Sequence, residues 1–186
     1  MRRVQQSYGM DFRMRHRILL WFGRIPATGA LGIQTSTRTR LTHGKGLSDN
    51  IVGMEKHATI DITKEYLHFS AAHFTVFSAS CRENLHGHNF QVEATLDGPI
   101  GENGLCFDYN IIKSKLKRIC DSLDERVLLP EKSPHLQLAK DGDYTVAKFH
   151  NERLPFLNRD VKSIPVRNIT VEELAHWFMN ELTQDE

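Results

Sequence analysis

Long apolar runs are missing from this 186-residue sequence: the longest, residues 18–22, falls far short of the roughly 18 residues that a membrane-spanning helix requires. No membrane partner is expected. Cysteine is also scarce. Cys81, Cys106 and Cys120 form no paired spacing and leave one over, which argues against a disulfide framework and for a reducing compartment. Net charge is nearly absent, because 24 Lys and Arg offset 23 Asp and Glu to leave +1, so no bulk affinity for nucleic acid is expected. What remains is an ordinary globular composition, 40% hydrophobic and 25% charged, with enough chain for one domain and an appendage.

Acidic residues are the conspicuous deficit of the first 50 positions, where Asp11 and Asp49 stand against nine Lys and Arg. That stretch is rich in Arg, Ser, Thr and Gly and weakly periodic, as organellar transit peptides are. An unstructured basic extension, with Met54 as the natural start, fits equally well. A nucleic-acid-binding arm fits less well, since no aromatic residues interleave with a folded basic face. The sequence therefore divides into a basic extension over 1–58 and a folded domain over 59–186. The expected location is the cytoplasm, or an organelle if residues 1–53 act as a transit peptide.

From residue 59 the pattern turns to strands and helices. Over residues 65–75, Leu67, Phe69, Ala71 and His73 share one face at period two, and His86, His88, Phe90, Val92, Ala94 and Leu96 form a second such row. Asp97-Gly98 marks a turn after it. Antiparallel pairing of these two strands would carry all three histidines to one end. A helix is expected to open at Asp108, whose carboxylate can cap it, with a core stripe of Ile112, Leu116, Ile119 and Leu123. Residues 130–165 read as an inserted hairpin turning at Asp141-Gly142-Asp143. A last helix is signalled by a capping box of Thr170 and Glu173, followed by Val171, Leu174, Ala175, Phe178 and Leu182.

The chemistry lies in the histidines. His86 and His88, two apart on a strand, point the same way, so both imidazoles can face one metal ion, and Gly87 between them removes a side chain from the opposite face. A catalytic zinc site takes three protein ligands and leaves a fourth position open, which makes His73 the candidate third ligand. Because His73 lies among Ala71, Ala72 and Phe74, its ring needs a partner to offset desolvation. The plain alternative is a core histidine bonded to a backbone carbonyl.

Three segments together resemble a known family: Phe69, Ser70, Ala71, Ala72 and His73; then Glu83, Asn84, Leu85, His86, Gly87 and His88; then Gly104, Leu105, Cys106, Phe107 and Asp108, with Leu123-Asp124 further on. They are similar to the 6-pyruvoyl-tetrahydropterin synthases and their relatives, including the 6-carboxy-tetrahydropterin synthases of queuosine biosynthesis. The resemblance runs in order from about residue 60 to 182.

It implies an α+β tunnelling fold, or T-fold: an antiparallel sheet with two helices on one face, assembled as a homo-oligomer of three or six chains. It also implies zinc on His73, His86 and His88. The substrate would be 7,8-dihydroneopterin triphosphate, lysed at a carbon–oxygen bond to make a precursor of tetrahydropterin, queuosine or folate. Cysteine branches of the family place their base a few residues before the paired histidines, and a glutamate branch places it three before. Glu83 has the glutamate spacing, and Cys81 falls between the cysteine spacings. The spacing favours Glu83, and partial desolvation is expected to raise its pKa.

Asp124 carries over as a supporting acid, but Glu125 stands where many relatives have a relay histidine. Thr170 and Glu172 match the family's pterin-contact motif, with helix capping the competing role for Thr170. Relatives continue into two further strands after the last helix, whereas this sequence stops at Glu186, so an open sheet edge is expected unless the basic extension or a partner supplies strands. The alternative to an enzyme is a truncated paralogue that binds zinc or a pterin without turnover.

Overall fold

A computed structural model describes residues 57–184 and, as backbone strands, 15–22 and 35–36. Alternation dictates the centre of the fold. Strand β3 (His57–His73) and strand β4 (His86–Pro99) run antiparallel, with Phe69 opposite Phe90, Ala71 opposite His88 and His73 opposite His86. The row Leu67, Phe69, Ala71 and His73 is buried, as are Phe90, Val92, Ala94 and Leu96 facing it. A register shift between Thr63 and His68 breaks the ladder once; on one side of it Ile60 and Ile62 lie opposite Leu96 and Ala94, and on the other Phe69 lies opposite Phe90.

Helix α1 (Tyr109–Leu123) begins where Asp108 accepts a hydrogen bond from the Asn110 amide at 2.9 Å. Its buried stripe is Ile112, Leu116, Cys120 and Leu123; Ile119, expected in that stripe, is only partly buried and packs at its margin. Residues 119 and 120 both stand at helical spacing from Leu116 and Leu123, and it is Cys120 that is fully buried. Helix α2 (Val171–Thr183) is capped at Thr170, but only half of the expected box forms. The Glu173 amide donates to the Thr170 hydroxyl at 3.4 Å, while the Glu173 carboxylate accepts from the Arg167 amide at 3.2 Å. Leu174, Trp177, Phe178 and Leu182 are its buried residues, and Val171 and Ala175 are partly buried against the core.

Both helices pack on the apolar face of the sheet, closing one core around Phe69, which stacks on Phe90 at 4.6 Å and on Phe178 at 6.0 Å between ring centroids. The main sheet runs β1-β4-β3-β5-β9, where β1 is Arg15–Phe22, β5 is Arg126–Pro130 and β9 is Val161–Ile164. A two-residue strand, β2 (Thr35–Ser36), pairs antiparallel with β3. The sheet is antiparallel through β1, β4 and β3, but β5 and β9 join in parallel. The antiparallel sheet expected thus gains two parallel pairings: α1 connects β4 to β5, which run opposite ways and stand on either side of β3, so β5 returns parallel to β3. Strand β1, from within the basic N-terminal stretch, pairs along β4 from Asp97 to Phe90 and occupies the edge left open by the β3–β4 pair.

The inserted segment is larger than a hairpin. Strands β6 (Leu136–Asp141), β7 (Tyr144–Phe149) and β8 (Glu152–Leu157) form a three-stranded antiparallel meander, turning first at Gly142, whose φ of 57° is one glycine adopts without strain. The meander shares a second small core of Phe74, Val76, Leu129, Leu136, Ala147 and Phe149 with the chain just past β3 and with β5. Replacing Phe69, fully buried and stacked on two rings, by alanine is expected to lower the unfolding free energy by about 3–5 kcal/mol, read as a fall in the urea midpoint at unchanged slope.

Candidate metal centre and reactive loop

The three histidines stand together because the register of β3 and β4 puts them there. His73 ends β3 opposite His86, the first residue of β4, and His88 follows two residues on along the same face. Ring centroids are 4.7 Å apart for His73 and His86, 5.4 Å for His73 and His88, and 4.8 Å for His86 and His88. One ligand nitrogen from each lies within 4.8 Å of the others. Nitrogens sharing one zinc-sized ion lie roughly 3–4 Å apart, so the rings need only draw together slightly to hold one.

The hydrogen bonds settle which nitrogens are offered. His73 Nδ1 is 2.9 Å from the carbonyl of Ile169, and His86 Nδ1 is 2.8 Å from the carbonyl of Asn84. A carbonyl only accepts, so each Nδ1 carries the proton and each Nε2 keeps its lone pair. His73 is 4% exposed, and its Nε2 has no hydrogen-bond partner among the described residues. A buried lone pair left unmatched is costly, and a divalent ion is the group that would satisfy it beside two further imidazoles. His73 bonds a backbone carbonyl through one nitrogen, as a core histidine would, and its other nitrogen is left to the cluster. Burial, the largest influence, lowers the pKa of both His73 and His88, which favours the neutral ligand form.

The loop from 74 to 85 closes on itself just above this cluster. Val76 bridges Arg82, the amides of Phe77 and Ser78 donate to the Cys81 carbonyl at 2.9 and 3.1 Å, and the Glu83 amide donates to the Thr75 carbonyl at 2.9 Å. The Thr75 amide donates in turn to Glu83 Oε2 at 2.9 Å. Glu83 is therefore held at the base of the loop, where its charge acts on His73 and His86. Its pKa is lowered, chiefly by hydrogen bonding from Thr75 and further by the two histidines; desolvation opposes this but loses. The expected upward shift is thus reversed, because the Thr75 contacts favour the ionised form more than partial burial disfavours it. Cys81 lies exposed at the tip of the loop.

The remaining expected residues are placed less directly. Asp124 caps the C-terminal end of α1, and its carboxylate accepts from the Ser70 amide at 2.7 Å. Glu125 is exposed, in a left-handed conformation with φ of 56°, and donates its amide to the Ser70 carbonyl at 2.7 Å. It lines an open depression with Ser70, Ala71, Ala72, Gly87, His88 and Asn89 of β3 and β4. Thr170 caps α2 one residue after Ile169, and Glu172 is exposed in the first turn.

Sequence reasoning missed Asn168. Its side chain accepts from the amides of Val76 and Ile169, both at 3.1 Å, and donates to the Val76 carbonyl at 2.9 Å. It clamps the loop after His73 to the peptide whose carbonyl orients His73. Nothing in its local sequence signals this, because its partner lies 92 residues away. Replacing Asn168 by alanine is expected to weaken divalent metal binding by about 10–100-fold, and replacing His73 by alanine to abolish stoichiometric binding, both measured by titration against a competing chelator.

Residues 61–186 match the family model described as 6-pyruvoyl tetrahydropterin synthase. A Methanocaldococcus jannaschii protein, provisionally named a 6-carboxy-tetrahydropterin synthase, is 32% identical over 117 residues, covering 62% of this chain and 71% of its own. A Pyrococcus abyssi protein with the same provisional name is 28% identical over 125 residues, covering 66% of this chain and 72% of its own. Among solved structures, the 6-pyruvoyl tetrahydropterin synthase of Plasmodium vivax superposes with a TM-score of 0.64 at 31% identity, covering 68% of this chain and 77% of that one. Variants of that enzyme, in which a glutamate named as a catalytic residue is replaced by alanine or cysteine, superpose equally well. With the fold, the histidine trio and these likenesses in agreement, the chain belongs to the 6-pyruvoyl tetrahydropterin synthase family.

Proposed function

We propose that this protein is a zinc-dependent carbon–oxygen lyase that acts on 7,8-dihydroneopterin triphosphate, with His73, His86 and His88 holding the ion and Glu83 as the base. The observation that carries the reading is the buried, unmatched Nε2 of His73, set among two further imidazoles with an ionised carboxylate beside them. When bound, zinc would act as a Lewis acid toward hydroxyl groups of the substrate side chain, lowering their pKa. The backbone of Thr75 fixes Glu83 from both sides, so its free carboxylate oxygen keeps one direction in which to take a proton. The catalytic glutamate named for the Plasmodium vivax enzyme supports a carboxylate rather than a thiol in this role.

Cys81 is the competing base, and its exposed position at the loop tip makes it the weaker one. Asp124 supports from the end of α1, where its bond to Ser70 steadies β3. Glu172 is exposed and free to meet a pterin ring, and Thr170 keeps a hydroxyl proton to donate even while capping α2. We further propose a folded domain over 59–186 that carries the meander, a basic extension over 1–58 whose strands β1 and β2 add to the sheet of that domain, a homo-oligomer of three or six chains, and a cytoplasmic location, or an organellar one if residues 1–53 act as a transit peptide. The rival reading, a zinc- or pterin-binding protein without turnover, draws on Glu125 standing where the family resemblance calls for an imidazole. With its lower intrinsic pKa a carboxylate is a poorer proton donor near neutrality.

Product analysis with 7,8-dihydroneopterin triphosphate decides between these readings. The purified protein is expected to hold one zinc per chain by elemental analysis, to release triphosphate, and to lose activity on chelation with recovery when zinc is restored. Glu83→Gln is expected to lower kcat by about 10²–10⁴-fold, while Cys81→Ala stays close to wild type. Loss of turnover in Cys81→Ala alone would transfer the base to the thiol. Zinc binding without any triphosphate release would establish the binding protein instead.

A further inference from the structure

We infer that Arg82 is a positioning residue that locks the reactive loop onto the β6–β8 meander, so that the meander sets where the Glu83 carboxylate stands; this rests on reading Glu83 as the base. The side chain of Arg82 is only 14% exposed although it belongs to a surface loop. Its guanidinium lies between two rings, 5.0 Å from the centroid of Phe74 and 5.8 Å from that of Phe149. Phe74 directly follows the ligand His73, and Phe149 ends β7, so one planar group spans the metal strand and the meander.

The hydrogen bonds extend the same link. Arg82 Nε donates to Glu152 Oε2 at 2.7 Å and Nη2 pairs with the same oxygen, while Nη1 donates to the Glu83 carbonyl at 2.7 Å. The path from the first residue of β8 to the Glu83 backbone is therefore a single side chain. From Glu83 the two Thr75 bonds carry it to the carboxylate. Only a planar fork with several donors meets an acid, a carbonyl and two ring faces at once, so lysine would not replace arginine here. The meander enters between β5 and β9, and the main core closes without it. Its small separate core includes Phe74 and Val76, which flank the reactive loop, so the insertion buttresses that loop and is more than a surface excursion.

Glu152→Ala tests the lock without endangering the fold, since the Glu152 side chain is 49% exposed. The measurements are zinc content, kcat, KM and amide hydrogen exchange over residues 75–83, with Arg82→Lys as a second variant. Arg153→Ala, which removes the exposed Arg153–Asp141 pair of the same meander, serves as control. The lock predicts a loss in kcat of about ten- to hundredfold for Glu152→Ala and Arg82→Lys, with KM within about twofold, zinc retained, and faster exchange at the Phe77 and Glu83 amides. Arg153→Ala should match wild type in each readout. Combining Glu152→Ala with Glu83→Gln should lower kcat no further than Glu83→Gln alone. Unchanged exchange in Glu152→Ala, or losses that multiply in the double variant, would overturn the proposal. If Glu83→Gln keeps wild-type turnover while Glu152→Ala still speeds exchange, the lock stands and the assignment of the base falls.

Discussion

One hydrogen bond, from His73 Nδ1 to the carbonyl of Ile169, joins the sheet, the second helix and the metal face. His73 sits on the buried face of β3, in line with Phe69 and Ala71, where an imidazole with two open nitrogens would be strongly disfavoured. The Ile169 carbonyl satisfies one nitrogen and in doing so fixes the tautomer, which turns the other toward His86 and His88. The peptide that supplies that carbonyl is itself held by Asn168 and followed at once by the Thr170 cap. The start of α2 and the direction of the His73 lone pair are consequently one arrangement. A shift in either disturbs the other, and Phe178, stacked on Phe69 further along α2, resists any such shift.

The parts of the fold that bury an apolar row were legible in the sequence. Leu67, Phe69, Ala71 and His73 on β3 and the row from His86 to Leu96 on β4 obey a strict period of two, so a slip of one residue between them would turn one row away from the core. The helices were legible from their caps, though the stripe of α1 was misread by one position and Trp177 of α2 was missed. Strands β8 and β9 gave no comparable signal. The first contains Pro155, which normally argues against a strand interior, and the second has four residues. The parallel entry of β5 follows from its place beside β3 and not beside β4, the strand that precedes it, a property of topology that composition does not express.

For the candidate site, the cluster of His73, His86 and His88 was legible and its supports were not. Three histidines at strand spacing carry their own geometry, and Glu83 is found by counting back from His86. The groups that orient them act across the chain: Asn168 reaches Val76 over 92 residues, Arg82 reaches Glu152 over 70, and the acceptor for His73 is a backbone carbonyl with no residue identity to read. The direction of the Glu83 shift was also hidden, because it depends on which donors the loop turns toward the carboxylate. Burial alone would have raised the pKa; Thr75 decides otherwise.

That lowered pKa constrains any chemistry at this centre. A carboxylate held below its ordinary value is fully ionised at neutral pH, so it is always ready to accept a proton, yet it is a weak base. It can take a proton from a substrate only if that proton has first been made more acidic. The imidazoles converge on one point, His73 buried and His86 and His88 half-buried, with burial lowering the pKa of His73 and His88, and a cation held there would acidify a bound hydroxyl without a strong base. In the proposed reaction a weak base and an ion-holding trio would be complementary: either alone would be poorly suited to deprotonate an alcohol near pH 7, and the Thr75 contacts that lower the pKa of Glu83 are the same ones that hold it in place. Such a site would favour precision of placement over basicity, which is workable only where a bound ion supplies the missing acidity.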